Sequence, residues 1–277
     1  MIRINLHTHS TCSDGDFSPS ELVHLLSRHK VAVAALTDHD TVTGVPVFLA
    51  SCHSRGIRGV AGCEFSSRST EGDELHILGY RFNLGAPALQ EALARYQSAR
   101  TARNAAICEK LTSLGLPVTL EEAEARSGGQ VVGRPHIAQV LRDKGRVSTL
   151  HEAFVRYLGT GAAAFVPRDL PPTEDVIRLI LEAGGLPVWA HPLKSLSDTD
   201  RFPVVLDTLK ESGLWGVECW FHGSSSAQTL LCLNEAGRRG LYATAGTDFH
   251  GRGHGAGIAG HVVEDDLLPW ARFCGGR

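Results

Sequence analysis

The sequence predicts an α/β fold in which short strands alternate with helices, interrupted once by a purely helical stretch. Three observations carry this. Runs such as "VAVAAL" are short and wholly apolar, as parallel strands covered on both faces tend to be. Amphipathic, capped stretches separate those runs. From Asn83 to Leu158 only helical patterning occurs, with no convincing strand. The 277 residues, 43% of them hydrophobic, suffice for one large domain or one domain with an insertion.

The elements follow in order. Ile2, Ile4 and Leu6 alternate with Arg3, Asn5 and His7, the period of a strand. Ser18, Pro19 and Glu21 supply a cap, a first-turn proline and a capping box for a helix whose buried stripe is Leu22, Leu25 and Leu26. "VAVAALTDHD" is a strand ending at Asp38-His39-Asp40. A helix around 44–55 leads to "IRGVAGCEFSS", a strand ending at Glu64, and "ELHILGYRF" is a further strand carrying His76. After the helical stretch, "TEDVIRLILEAGGLPVWAHP" resumes the alternation: Gly184-Gly185 ends the helix and the strand ends at His191. "FPVVLDTLKESGLWGVECW" and "AQTLLCLNEAGRRGLYATAGTDFH" repeat the unit, the latter ending at Asp248 and His250. The expected division is therefore 1–82 with 159–277 as one domain, and 83–158 as a helical insertion capping it.

Bulk properties exclude several classes. A net charge of −3 announces no basic surface for nucleic acid, so any attraction for an anion must be local. No apolar run approaches a membrane span, and no charged-then-apolar leader precedes the first strand; the expectation is a cytoplasmic protein. The seven cysteines are odd in number and never spaced CxxC, which fits reduced, mostly buried thiols.

The chemistry-bearing residues sit at strand ends. His7 and His9 are two apart on a strand and project to one side, a ready metal chelate although a weak signal alone. His39, Glu64, His191, Asp248 and His250 likewise close their strands. In barrel-like α/β folds such ends converge on one face. Asp14 lies in the loop after the first strand, and His76 within its strand points inward. Nine nitrogen and oxygen donors with no cysteine suit Mn²⁺, Zn²⁺ or Fe²⁺, as a cluster of two or three ions.

In "HTHSTCSDG", "ALTDHD", "GCEFS" with the following His76, and the late "AHP" and "GTDFH", the chain resembles the PHP-domain phosphoesterases over roughly its whole length. That resemblance implies a distorted seven-stranded (β/α) barrel with a trinuclear metal centre, Mn²⁺ being the expected ion. It implies one metal on His7, His9, Glu64 and Asp248, a second on Glu64, His76 and His191, and a third on Asp14, His39 and His250, with the chemistry assigned to Asp248, His191 and His250. Three divalent ions against three carboxylates make the site itself the attractor of anions. Within the family the "RPH" in a helical insertion resembles a subgroup of 3′,5′-nucleoside bisphosphate phosphatases and 5′→3′ exoribonucleases of short RNA. This implies substrate contacts from Arg134 and His136, with Arg103 and Arg100 one helical turn apart on another helix. The expected partner is a small phosphorylated substrate, nucleotide or short RNA, with no membrane and no stable protein partner.

Two departures stand out. The subgroup's lysine in "GKPxYV" is Ala162 here, and His222 in "GVECWFHGSSS" lies two positions earlier than the subgroup's histidine. His222 reads as a surface residue. His254 and His261 fall in a glycine-rich tail. The rival readings are a histidinol-phosphate phosphatase on the same metal centre and a non-catalytic PHP module. The insertion motif favours the nucleotide subgroup, and retention of all nine ligands disfavours the module.

Overall fold

Ile2–Asn5 (β1) and Val33–Leu36 (β2) pair in parallel, and Arg58–Arg68 (β3) joins β2 in the same sense. Pro19–Arg28 (α1) and Val45–Ser54 (α2) make the two crossovers. The computed structural model describes residues 1–127, 131–251, 255–269 and 273; His254 and Cys274 lie outside them. In α1 the predicted capping box is present. Ser18 Oγ accepts from the Glu21 N–H at 3.3 Å, and the Glu21 carboxylate accepts from the Ser18 N–H at 2.9 Å.

Glu74–Tyr80 (β4) runs antiparallel to β3, which the strand-end argument had not separated from its parallel neighbours. The cause is the short connection. Ser69 N–H donates to Asp73 O and Gly72 N–H to Ser69 O, a tight turn with no room for a crossover helix. The reversal brings the amino-terminal half of β4, with His76, to the end of the sheet where β1 and β2 finish.

The chain then leaves the sheet for Pro87–Ser113 (α3), Leu120–Ser127 (α4), Arg134–Asp143 (α5) and Leu150–Ala153 (α6), which runs on as a π-turn over Phe154–Leu158. No strand occurs among the described residues between 83 and 158. These helices bury a core of their own, with Ile107, Leu111, Ile137, Leu141 and Leu158 at its centre.

Thr173–Glu182 (α7) ends at Gly184, whose φ of +78° suits a residue without Cβ. Leu186–Trp189 (β5), Gly216–Trp220 (β6) and Tyr242–Ala245 (β7) follow as a parallel run. Pro192–Ser195 (α8), Phe202–Glu211 (α9) and Ser226–Arg238 (α10) lie between and beside them. The ring closes where the Leu6 N–H donates to Ala245 O at 3.0 Å and Thr8 bridges Phe249 in parallel. An eighth strand, His261–Val263 (β8), lies antiparallel to the start of β1. The resemblance implied seven strands; the additional one is three residues long, too short to show a period. Inside the ring Ile4, Leu6, Val33, Val60, Tyr80 and Val188 form one buried cluster, and the Tyr80 hydroxyl donates to Leu6 O at 2.7 Å.

Gly260 leads into β8 at φ +67°, and a Cβ there would lie 2.0 Å from the Ile4 carbonyl oxygen. Gly56 has a similar φ of +69° but open space around it. Gly56→Ala should therefore cost only the left-handed strain, about 1–2 kcal/mol. Gly260→Ala should cost clearly more, because the clashing atom is backbone. Urea unfolding of the two variants measures the difference, and equal losses would mean that β8 is loosely docked.

Candidate metal centre

His7 and His9 leave the end of β1, His39 the end of β2, His191 the end of β5, and Asp248 and His250 the end of β7. Glu64 lies in the distal half of β3 and His76 opposite it on β4. Asp14 sits in the loop after β1. That loop is tied to Asp38, whose buried carboxylate accepts from Ser10 N–H at 2.7 Å, Ser10 Oγ at 2.7 Å and Ser13 Oγ at 2.6 Å. His191 and Asp248 adopt positive φ of 29° and 54°, strain of the kind that surrounding structure must hold in place.

All nine side chains meet at one end of the ring. Glu64 is the hub. Its Oε1 lies 2.8 Å from His76 Nδ1 and 3.1 Å from His191 Nε2. Its Oε2 lies 3.2 Å from His7 Nε2, 3.2 Å from His9 Nε2 and 3.1 Å from His39 Nδ1. Asp248 Oδ1 is 3.4 Å and 3.3 Å from the same nitrogens of His7 and His9, and Asp14 Oδ1 is 3.3 Å from His250 Nε2. Donor atoms converge within 4.8 Å of one another in three groups: His7, His9, Glu64 and Asp248; His9, Asp14, His39 and His250; His39, Glu64 and His76. The first coincides with the set implied by the resemblance. The second adds His9 to its set, and the third has His39 where the resemblance implied His191.

These donors fit divalent cations. Bonds of about 2.1 Å at tetrahedral or octahedral angles put ligands about 3–3.5 Å apart, the spacing seen here. His7 Nε2 and His9 Nε2 face each other at 3.1 Å, and two lone pairs do not rest there without a cation or proton between them. His9 Nδ1, His39 Nδ1 and Glu64 Oε2 are buried without a hydrogen-bond partner, an expensive arrangement for a cluster with no cation. Burial opposes ionisation of Asp14, Glu64 and Asp248, yet the surrounding imidazoles hold all three carboxyls well below the usual range. Burial likewise opposes charge on His76 and His250, but carboxylates raise both to about 10, while buried His39 falls to about 3. Charged imidazoles thus balance the three buried carboxylates, a place that divalent cations can take instead.

A cavity of about 720 Å³ opens above the cluster. Asp14, His39, Glu64, His76, His191, Asp248 and His250 line one side; His7 and His9 lie fully buried beneath. Arg100 and Arg103 from α3, Arg134 from the start of α5 and Arg168 line the other, beside Phe154 and Phe165. Burial and the neighbouring Arg100, Arg134 and Arg168 charges push Arg103 down to about 8, the mark of crowded guanidiniums. Arg134 donates to Leu158 O at 3.3 Å and lies over the Phe154 ring.

Other expectations resolve differently. His136 does not line the cavity. It is buried, and its Nδ1 accepts from the Gly133 N–H at 2.9 Å, holding the turn that presents Arg134. Ala162 is likewise off the cavity wall, and half-buried His222 lines a separate crevice with Trp220, Phe221 and His261. Three participants were not singled out from the sequence. Asp40 accepts from Arg100 at 2.6 Å and from Arg168 at 2.8 Å; Arg168 reads as an ordinary loop residue in "VPRDLPP"; Glu218 is bonded to His7. The available signal for Glu218 was a lone charge in the otherwise uncharged strand "GVECW".

A closed ring of strands with a buried histidine–carboxylate cluster at its carboxyl end, under a wall of arginines, defines a metal-dependent phosphoester hydrolase. The family model for the PHP domain matches residues 5–157, and the chain belongs to that family. A 5′-3′ exoribonuclease of Haemophilus influenzae is 34% identical over 248 residues, 90% of each chain. A 3′,5′-nucleoside bisphosphate phosphatase of Chromobacterium violaceum is 31% identical over 98% of this chain and 95% of that one. A structure from Bifidobacterium adolescentis assigned as a metal-dependent phosphoesterase superposes with a TM-score of 0.86 at 28% identity, covering 95% of this chain and 93% of that one. Among the described residues no helix is long and apolar enough to cross a membrane.

Proposed function

We propose that this chain removes the 3′-phosphate of 3′,5′-nucleoside bisphosphates in the cytoplasm, with manganese at the nine-residue cluster, and that it also shortens small RNAs from the 5′ end. The observation that carries this reading is the second wall of the cavity. A simple monoester needs only the cluster, whereas Arg103 and Arg134 bring charge for a further phosphate beside Arg100 and Arg168, which share the Asp40 carboxylate. The names of the two relatives point to the same pair of activities.

Divalent ions in the cluster would supply Lewis acidity and a water made nucleophilic near neutral pH. The chain's own groups do the rest. Asp248, His191 and His250 border the reacting phosphate, Arg134 and Arg103 grip the distal one, and His136 fixes Arg134 through the Gly133 turn. Residues 83–158 act as a cap over the barrel of 1–82 and 159–277, excluding bulk water from the cavity. Zinc and ferrous iron suit the same donors, so metal content and activity restored by each ion decide among them.

The test is to offer the metal-loaded protein a 3′,5′-bisphosphate nucleotide, histidinol phosphate and a short 5′-phosphorylated RNA, and to measure phosphate and nucleotide release. The bisphosphate should be the best substrate; preference for histidinol phosphate would overturn the reading. Arg134→Ala should leave metal content intact. Losing a charge-assisted grip worth roughly 1.5–3 kcal/mol, it should lower kcat/KM for the bisphosphate on the order of ten- to a hundredfold. A generic aryl phosphate, with no second phosphate to hold, should change much less. Equal losses on both would place Arg134 at the reacting phosphate.

A further inference from the structure

We infer that Glu218 is a positioning residue for the metal centre: one buried carboxylate sets the tautomer of His7 and pins the main chain of His191. The inference rests on the reading of the cluster as a metal site. Glu218 lies on β6, 1% exposed, outside all three donor groups. Its two oxygens are 3.2 and 3.3 Å from His7 Nδ1, and Oε2 also accepts the His191 N–H at 2.8 Å. No lysine or arginine pairs with it among the described residues; His7 is its ion-pair partner there.

The tautomer follows from donor and acceptor roles. A carboxylate only accepts, so the hydrogen of neutral His7 resides on Nδ1. Nε2 is then a bare lone pair, and it is the atom aimed at Glu64, Asp248 and His9. A histidine whose far nitrogen donates to a carboxylate is fixed in ring orientation and made a better ligand. The second bond acts on backbone. His191 sits at φ 29°, a costly conformation for a residue with a side chain, and the Glu218 bond to its N–H holds it there while its Nε2 faces Glu64. Two ligands from different strands, 184 positions apart (191 − 7), thereby share one anchor.

The backbone beside the pair is also fitted to it. A Cβ at Gly246 would lie 2.3 Å from His7 Cβ and 2.5 Å from Glu218 Oε1, so the close approach of the pair is built around a glycine.

E218Q keeps the shape and an oxygen for the His191 N–H but removes the charge facing His7; E218A removes both bonds. Calorimetric titration of the metal-free proteins with Mn²⁺ and Zn²⁺, with bound metal counted by mass spectrometry, should show affinity about 10–100-fold weaker in E218Q and weaker still in E218A. Melting of metal-free E218Q should stay close to that of the unmodified chain, which separates positioning from a general loss of structure. Unchanged affinity in E218Q would overturn the role of Glu218 alone. Failure of the unmodified chain to bind either ion would overturn the metal site and this inference with it. Should the variants not fold, the unmodified protein decides: ¹⁵N-histidine NMR of the zinc-loaded chain should find the His7 proton on Nδ1, and a proton on Nε2 would end the proposal.

Discussion

Glu64→Gln is expected to remove bound metal and turnover together. Both oxygens of Glu64 are in use, Oε1 toward His76 and His191 and Oε2 toward His7, His9 and His39, and the residue is fully buried. Glutamine has nearly the same shape, but it replaces one acceptor by an amide that only donates and it deletes a charge. Whichever way the amide turns, a hydrogen-bearing nitrogen faces two or three imidazoles and would point at any cation they hold. Breaking a buried charge pair by removing one partner costs about 3–5 kcal/mol. Since losing an outer partner of a metal ligand already costs about 10–100-fold, losing the carboxylate shared by five imidazoles should lower kcat/KM by more than about 100-fold. Unlike Arg134→Ala, this change strikes the chemistry common to all substrates. The bisphosphate and the generic ester should therefore lose activity by the same factor, and the rise in melting temperature on adding metal should vanish. Full metal content with activity within tenfold of the unmodified chain would remove Glu64 from the centre.

The convergence of the histidines and carboxylates was legible because several of them are announced locally. His39, His191 and Asp248 each follow a short apolar strand, and a parallel fold collects such ends whatever the sequence distance between them. The Ser18–Glu21 box and the stop at Gly184 were legible for the same reason, since capping is decided within a few residues. The direction of β4 was not, because alternation reports which face a residue takes and is silent on which way the strand runs. The five residues 69–73 were the only clue to a hairpin. Partnerships inside the fold were hidden more deeply. Asp40 and Arg168 are 128 positions apart, and neither has a periodic or motif context that points to the other. His136 shows a different limit: its motif was visible, but the motif did not announce that its Nδ1 would accept from the Gly133 N–H of the turn.

Asp40→Asn should be strongly destabilising, because it unpins α3 from the barrel. Asp40 follows β2, is fully buried and holds φ at 52°. Its Oδ2 accepts from Arg100 of α3 and from Arg168 on the chain returning to the barrel, and its main-chain oxygen accepts from Gln97 at 2.9 Å. Burial opposes its ionisation, yet the two guanidiniums hold the carboxyl far below its usual range. Asparagine would keep the volume and leave two buried guanidiniums close together without an anion, with Arg103 and Arg134 nearby. The expected loss is about 3–5 kcal/mol, read from urea unfolding of the metal-free chain. Repulsion should also swing Arg100 and Arg168 out of place on the cavity wall, so KM for the bisphosphate should rise more than kcat falls. A double-mutant cycle with Arg100→Met separates the clamp from simple burial. If Asp40 and Arg100 act as one unit, the double variant should be less damaged than the sum of the singles by roughly 0.5–3 kcal/mol. Strict additivity would mean that Asp40 stabilises the barrel alone and that α3 is held by its apolar contacts.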